Sequence, residues 1–174
     1  MRSRPDVIIR PETPNDADAI DRVVGPAFLA EFGTTSEVEL VRALRARGEL
    51  VAALTLVALA NDEVVGHLAM SEVTLDGHRV GGLGLAPLAV RPDRQGMGIG
   101  SALMLAGLER AESDGHAFVV LLGHEDYYPR FGFEPAASLG ITGDYGDHAG
   151  WMVRLLAAPT LPRGHVRYCS AFHS

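Results

Sequence analysis

The chain has 174 residues, enough for one domain with a substantial buried core. Hydrophobic residues make up 47% and charged residues 21%, which excludes a disordered chain. The formal net charge is −7, and no run of Lys or Arg occurs, so electrostatic capture of nucleic acid is not expected.

The only basic cluster, Arg42, Arg45 and Arg47, falls on an expected helix that also carries Glu37 and Glu39. An acidic surface would suit a cationic substrate, although most such surfaces only keep a protein in solution. Cys169 is the single cysteine, so no internal disulfide forms and no metal site is expected. A reducing, cytoplasmic setting is the expectation. The opening Met1-Arg2-Ser3-Arg4-Pro5-Asp6 leads into a β-type run and not into a secretory segment. No stretch of about 18 apolar residues is present to span a membrane.

In chain order, Val7-Ile8-Ile9 reads as a first strand. Thr13 or Asn15 can cap the helix that follows, with Ala19, Ile20, Val23, Val24 and Ala27 on one face. Ser36 to Arg47 predicts a second helix, with Leu40, Val41 and Leu44 on one side and Gly48 as its stop. Ala52 to Ala60 reads as a strand. Asn61-Asp62 then turns into Val64 to Leu75, and Asp76-Gly77 supplies another tight turn. Leu83 to Val90 predicts a strand interrupted by Pro87, which gives no N–H to a ladder and so implies an edge, a bulge or a splayed pair.

A glycine-rich loop precedes a helix from about Ile99 to Asp114, ended by Gly115. Its expected apolar stripe is Ile99, Ala102, Leu103 and Ala106, while Glu109, Arg110, Glu112 and Asp114 meet water. Gly107 inside this helix suggests close packing against a strand. Phe118 to Leu122 is wholly apolar, as a central buried strand requires. A brief helical turn is expected near Tyr127-Tyr128, and late strands at Trp151 to Leu156 and Val166 to Tyr168. The pattern predicts one mixed α/β domain over residues 1–174.

The most informative segment is Arg94-Gln95-Gly96-Met97-Gly98-Ile99-Gly100-Ser101. Glycine tolerates φ > 0 and adds no side chain, so such a loop can turn backbone N–H groups around an anion. The helix behind it adds unpaired amides and its positive dipole end. A pyrophosphate is a suitable occupant; a turn needed only for packing is the bland alternative. A phosphate-loop NTPase would need GK[ST], and this loop has no lysine. A dinucleotide site would need GxGxxG directly after a first strand, and Ser101 stands at the third glycine.

Gln95-x-x-Gly98-x-Gly100 resembles the [QR]-x-x-G-x-[GA] signature of the GNAT superfamily of N-acetyltransferases. Pro87-Leu88-Ala89-Val90-Arg91-Pro92 looks like that family's coenzyme strand. Tyr127-Tyr128-Pro129-Arg130-Phe131-Gly132-Phe133 is similar to its aromatic–Tyr–x–x–x–Gly–Phe segment. The ending Gly150 to Val153, Val166 to Tyr168 and Ala171-Phe172 resembles the YhbS-like subset.

The resemblance implies a mixed α/β (α+β) GNAT fold: a central twisted mixed sheet of about seven strands, splayed at the acyl-CoA site and flanked by about four helices. It implies acetyl-CoA as co-substrate, an amine-bearing acceptor, no metal, and no nucleic acid or membrane partner. Dimers are common in the family, so a homodimer is admissible. The coenzyme would be held by Leu88, Ala89, Val90, Gln95, Gly96, Met97, Gly98, Ile99, Gly100, Ser101 and Tyr128, with the Leu88 N–H facing the thioester carbonyl.

By the same resemblance Tyr128 is the general acid for the leaving thiolate; a hydrogen bond to the coenzyme without proton transfer is the alternative. An alkylamine of pKa about 10.4 is almost wholly protonated near neutrality, so a base would help. The family often places a glutamate on the coenzyme strand, but Leu83 to Val90 has no carboxylate. Glu72 and His67 on the neighbouring strand are candidates, and a solvated or structurally bonded role is open for each. His124 can line an acceptor pocket or serve the surface. A second class of function, an acyl-CoA-binding sensor without turnover, stays open, as does an unrelated nucleotide-binding protein.

Overall fold

The computed structural model of the chain describes residues 6–157 and 159–174. The expectations for residues 1–5 lie outside the described residues. The polypeptide divides into two compact units, Met1–Met70 with Pro87–Arg110, and Ser71–Ala86 with Ala111–Ser174. The fold class is mixed α/β. Among the described residues, nine strands share one mixed hydrogen-bonded ladder in the order β1-β2-β3-β4-β5-β8-β6, with β9 on β3 and β7 on β9.

In the first unit, β1 (Ile8–Pro11) lies antiparallel to β2 (Leu56–Ala60), and β2 antiparallel to β3 (Glu63–Leu75). Asn61 and Asp62 adopt φ of 51° and 63°, the left-handed pair that a two-residue hairpin turn demands. Helix α1 (Ala17–Phe32) begins after a 3₁₀ turn at Pro14–Asp16, where the Asp16 carboxylate accepts from the Thr13 amide at 2.7 Å and its hydroxyl at 3.0 Å. The same carboxylate receives both Arg10 guanidinium nitrogens, at 2.7 and 3.0 Å. Ile20, Val23, Val24 and Ala27 of α1 join Val41 of α2 (Ser36–Ala46), Val57 and Ala89 in one core cluster.

Helix α3 (Ile99–Ser113) packs on β3 through small residues. A Cβ on Gly66 would lie 2.8 Å from Leu103 Cδ1 and 3.1 Å from Ile99 Cγ2. One on Gly107 would meet Met70 Cε at 3.0 Å and Leu68 Cδ2 at 3.3 Å. Gly107 thus does permit the close helix–strand approach expected of it. Since Gly66 meets α3 and strand side chains alternate, Val65 and His67 point to the opposite face. His67 pairs with Val57, which belongs to the α1–α2 cluster.

In the second unit, the first part of β4 (His78–Val90) runs parallel to β5 (Phe118–Leu122), pairing Gly82 with Phe118 and Gly84 with Val120. β5 is antiparallel to β8 (Trp151–Leu155), which also pairs β6 (Glu134–Pro135). β9 (Gly164–Arg167) pairs β3 antiparallel and β7 (Ile141–Gly143) parallel. Val73, Leu75, Phe118, Val120, Trp151, Val153, Val166 and Tyr168 are among the residues of its core.

Four expectations need correction. Ala52–Leu54 is a 3₁₀ turn and not strand; its register is set by the Val51 amide donating to the Met70 carbonyl at 2.9 Å and the Thr55 hydroxyl donating back to Val51 at 3.0 Å. The buried face of α3 is Ile99, Leu103, Met104, Leu108 and Ala111, while Ala102 and Ala106 are only half-buried. Met104 and Leu108 bury more apolar area than the alanines do, so they take the core side. Among the described residues there are three α-helices, not about four. By contrast, the helical turn expected near Tyr127-Tyr128 is present, as a single 3₁₀ turn, Tyr128–Phe131, stopped by Gly132 at φ 85°. Finally, β6 and β7 were not expected, and β4 starts five residues early, at His78.

Candidate active site

Leu88 to Val90 and Gln95 to Ser101, read from the sequence as a candidate coenzyme site, lie in the first unit. β4 ends at Val90, and the Arg91 amide closes onto the Val65 carbonyl of β3 at 2.9 Å. Pro92–Arg94 forms a 3₁₀ turn. The Gln95 side-chain amide donates back to the Val90 carbonyl at 3.0 Å, fastening the loop to the end of the strand. This gives Gln95, read from the sequence as a signature residue, a definite structural job.

Gly96 and Gly98 adopt φ of 72° and 82°, a region that residues with a Cβ enter only at a cost. The first α3 bond runs from the Ala102 amide to the Gly98 carbonyl at 3.0 Å. The amides of Ile99 and Gly100 fall before that bond and have no acceptor within the helix. The first turn of α3 carries no acidic side chain, whereas α1 has Asp18 there and α2 has Glu37 and Glu39. Helices ordinarily place carboxylates at that position to offset their dipole. Here no carboxylate of the helix's own first turn offsets that positive end.

The neighbouring basic residues are paired with carboxylates. Arg91 binds Asp93 through Nε at 2.6 Å and Nη2 at 3.1 Å, and Glu63 at 3.3 Å. Hydrogen bonding to Arg91 holds the Asp93 carboxyl below the usual range. The charges of these basic side chains are therefore offset by carboxylates within the segment and on β3. Leu88 and Val90 are half-buried, while Ala89 is buried against the α1 cluster. Met97, Ile99 and Ser101 complete the stretch; Ile99 is buried and anchors the helix start.

Tyr128 belongs to the second unit and opens the turn Tyr128–Phe131. Its ring stands edge-on to Tyr127 at 5.0 Å and to Phe133 at 6.0 Å between centroids. Tyr127 also meets Phe131 at 5.3 Å and carries the Arg130 guanidinium 4.5 Å above its ring. The Tyr128 ring fills the space that a side chain at position 123 would need, so Gly123 is a positioning residue for it. Sequence reasoning missed Gly123; the abrupt glycine after the apolar run of β5 was the available signal. The backbone amides of Tyr127 and Tyr128 donate to the His124 carbonyl, which gives His124 a structural place in this turn.

The two candidate bases have different settings. Glu72 is exposed and ion-paired with Arg79. His67 is fully buried, with Nε2 3.0 Å from Glu12 Oε2. Arg45 grips the same Glu12 carboxylate, Nε to Oε1 at 3.1 Å and Nη2 to Oε2 at 3.2 Å. Burial would raise the Glu12 pKa, but the bonds from His67 and Arg45 outweigh it and hold it below the ordinary value. No group of three or more side chains suited to a metal ion occurs among the described residues. Among the same residues, no helix is long and apolar enough to cross a membrane.

Comparison with known proteins follows the same residues. The acetyltransferase (GNAT) domain family profile matches residues 8–136. The uncharacterized N-acetyltransferase YjhQ of Escherichia coli is 40% identical over 144 residues, covering 78% of this chain and 80% of that one. YhbS of the same organism is 39% identical over 132 residues, 75% of each. A crystal structure of YhbS in complex with CoA superposes with a TM-score of 0.86 at 32% identity, covering 100% of this chain and 96% of that one. A GNAT family acetyltransferase of Brucella melitensis in complex with acetyl-CoA gives 0.82 at 38% identity, covering 96% and 98%.

Proposed function

Because the chain belongs to the GNAT acetyltransferase family, we propose that it transfers an acetyl group from acetyl-CoA to a primary amine by direct attack. The observation that carries this reading is the start of α3: two left-handed glycines, amides ahead of the first helical bond, and a first turn without carboxylates. Gln95 to Ser101 holds the diphosphate in this proposal, and Leu88, Ala89 and Val90 hold the pantetheine arm. The relatives crystallised with CoA and acetyl-CoA support the choice of coenzyme.

In the reaction, the neutral amine nitrogen adds to the thioester carbonyl. The Leu88 N–H stabilises the resulting oxyanion. The added nitrogen releases its extra proton to solvent, collapse breaks the C–S bond, and Tyr128 gives its phenolic proton to the departing sulfur, recovering one from solvent. The products are an amide and free CoA thiol. The net charge of −7 suits an acceptor that arrives as a cation.

Thiol release from acetyl-CoA across a panel of alkylamines, amino acids and peptides tests the reading. Release above background with at least one amine supports it. Coenzyme binding with no release for any acceptor would assign a binding module instead. Thermal protection by ATP or NAD but not by CoA would overturn the coenzyme as well.

A further inference from the structure

We infer that Gly150 is a positioning residue for Tyr128, setting the phenol from the opposite strand through the backbone of Gly123, with His148 as its fastening. The inference rests on the proposed role of Tyr128 as acid and adds what holds that acid in place.

The register of β5 on β8 reaches Leu122 opposite Trp151, and one further bond extends the pair, from the Gly123 amide to the Gly150 carbonyl at 3.0 Å. Neither glycine has a left-handed φ, so backbone conformation alone would admit alanine at both positions. Space does not. A Cβ on Gly150 would lie against the Gly123 carbonyl oxygen, nearer than a real Cβ approaches. That oxygen is main chain and cannot rotate aside. A Cβ on Gly123 would in turn run into the Tyr128 ring, with Cδ2 at 2.8 Å and Cζ at 3.1 Å. The result is a chain of direct contacts, Gly150 against the backbone of Gly123 and Gly123 against the phenol.

Tyr127 and Phe133 bound the same ring edge-on, at 5.0 and 6.0 Å between centroids. Close packing of this kind passes a shift of Gly123 on to the ring. The loop side of Gly150 is fastened by His148. Its Nδ1 accepts the Gly150 amide at 2.9 Å, and its carbonyl accepts the Trp151 amide at 2.9 Å. The imidazole acts here as an Asn or Asp side chain does in a turn, bonding the amide two residues on. His148 is exposed, yet that bond commits its ring to the placement of Gly150. A general acid works within about 2.6–3.2 Å of the atom it protonates. Relieving a Cβ at position 150 would part the strands by roughly 1 Å, and a misplacement of about 1 Å can cost a hundredfold in rate.

The test is Gly150→Ala, made alone and together with Tyr128→Phe, and assayed below the melting temperature of each variant. Thiol release from acetyl-CoA is followed with the most active amine of the panel. The expected result for Gly150→Ala alone is kcat lowered at least tenfold, with CoA affinity within about twofold of the parent. Added to Tyr128→Phe, the same substitution should cost nothing further, because an absent acid cannot be misplaced. Parental kcat in Gly150→Ala, or an equal fold-loss in both backgrounds, would overturn the inference and leave a glycine needed only for strand packing.

If Gly150→Ala does not fold, the exposed His148 decides. His148→Ala should lower kcat several-fold in the parent and not in Tyr128→Phe. His148→Asn, whose amide oxygen can accept the same bond, should restore it. Equal kcat in the parent, His148→Ala and His148→Asn would overturn the inference. Parental kcat in Tyr128→Phe would instead refute the acid itself, and failure of the parent to release thiol with any amine would refute the proposed function.

Discussion

Replacing Gly66 by alanine sets two effects of opposite sign against each other. Gly66 lies inside β3, where alanine should gain about 0.5–1 kcal/mol through reduced freedom of the unfolded chain. The added Cβ, however, would stand 2.8 Å from Leu103 Cδ1, 3.1 Å from Ile99 Cγ2 and 3.4 Å from Ala58 Cβ. Relaxed carbon contacts are about 3.5–4.0 Å, so the helix side must retreat by most of an ångström. Leu103 and Ile99 are 0% and 2% exposed and have little room to turn aside. Overpacking of this kind costs about 1–3 kcal/mol. The net expectation is a loss of about 1–2 kcal/mol, or roughly 2–8 °C in Tm for a chain of this size. Because Ile99 opens α3, the same displacement should weaken coenzyme binding several-fold. Differential scanning fluorimetry with and without CoA, and calorimetric titration with CoA, measure both. A variant that melts at or above the parent and binds CoA equally would refute the packing argument. Gly107→Ala is the internal control: its nearest neighbour is the movable Met70 methyl at 3.0 Å, and helix propensity favours alanine by about 1 kcal/mol, so Tm should hardly change.

Gly98→Val forces a β-branched residue into φ 82°, at a cost of about 1–3 kcal/mol. Titration should show CoA affinity reduced tenfold or more, with circular dichroism showing the fold intact. Tyr128→Phe should lower kcat at least tenfold while CoA affinity stays within about twofold; equal activity would remove Tyr128 as the acid. Asp16→Asn exchanges the acceptor of four hydrogen bonds, two from Arg10 and two from Thr13, and should cost about 1–2 kcal/mol after screening at the partly exposed Arg10. The Arg10 hydrogen bond holds the Asp16 carboxyl far below the ordinary range. A lowered folded-state pKa gives stability that is complete above the unfolded value of about 3.9 and is lost as pH falls toward the folded one. The parent's Tm should therefore fall more steeply than the variant's below about pH 4.

Much of the architecture was readable because the local signals agreed with each other. The left-handed pairs Asn61-Asp62 and Asp76-Gly77, and the stops at Gly48 and Gly115, stand where turn chemistry put them. The apolar run Phe118–Leu122 is a central strand. The loop from Gln95 to Ser101 was the strongest motif because glycine spacing, helix start and missing lysine all bear on one ligand. Short elements escaped: β6 has two residues and β7 three, too few for any periodicity. Gly123 under Tyr128 and the Glu12–Arg45–His67 cluster depend on residues distant in sequence, 55 positions apart for Glu12 and His67. No single-sequence pattern encodes such pairings, which arise from tertiary packing.

The division of the chain carries a consequence for its synthesis. Each compact unit is assembled from two separated stretches, with Ser71–Ala86 of one interrupting the other. The N-terminal portion therefore cannot complete its own core on the ribosome until residue 110 has emerged, and Ser71–Ala86 must wait for partners made still later. Closing such long loops slows folding. No single cut in the gene would release either half as an intact piece, so split-protein and truncation strategies should yield aggregates.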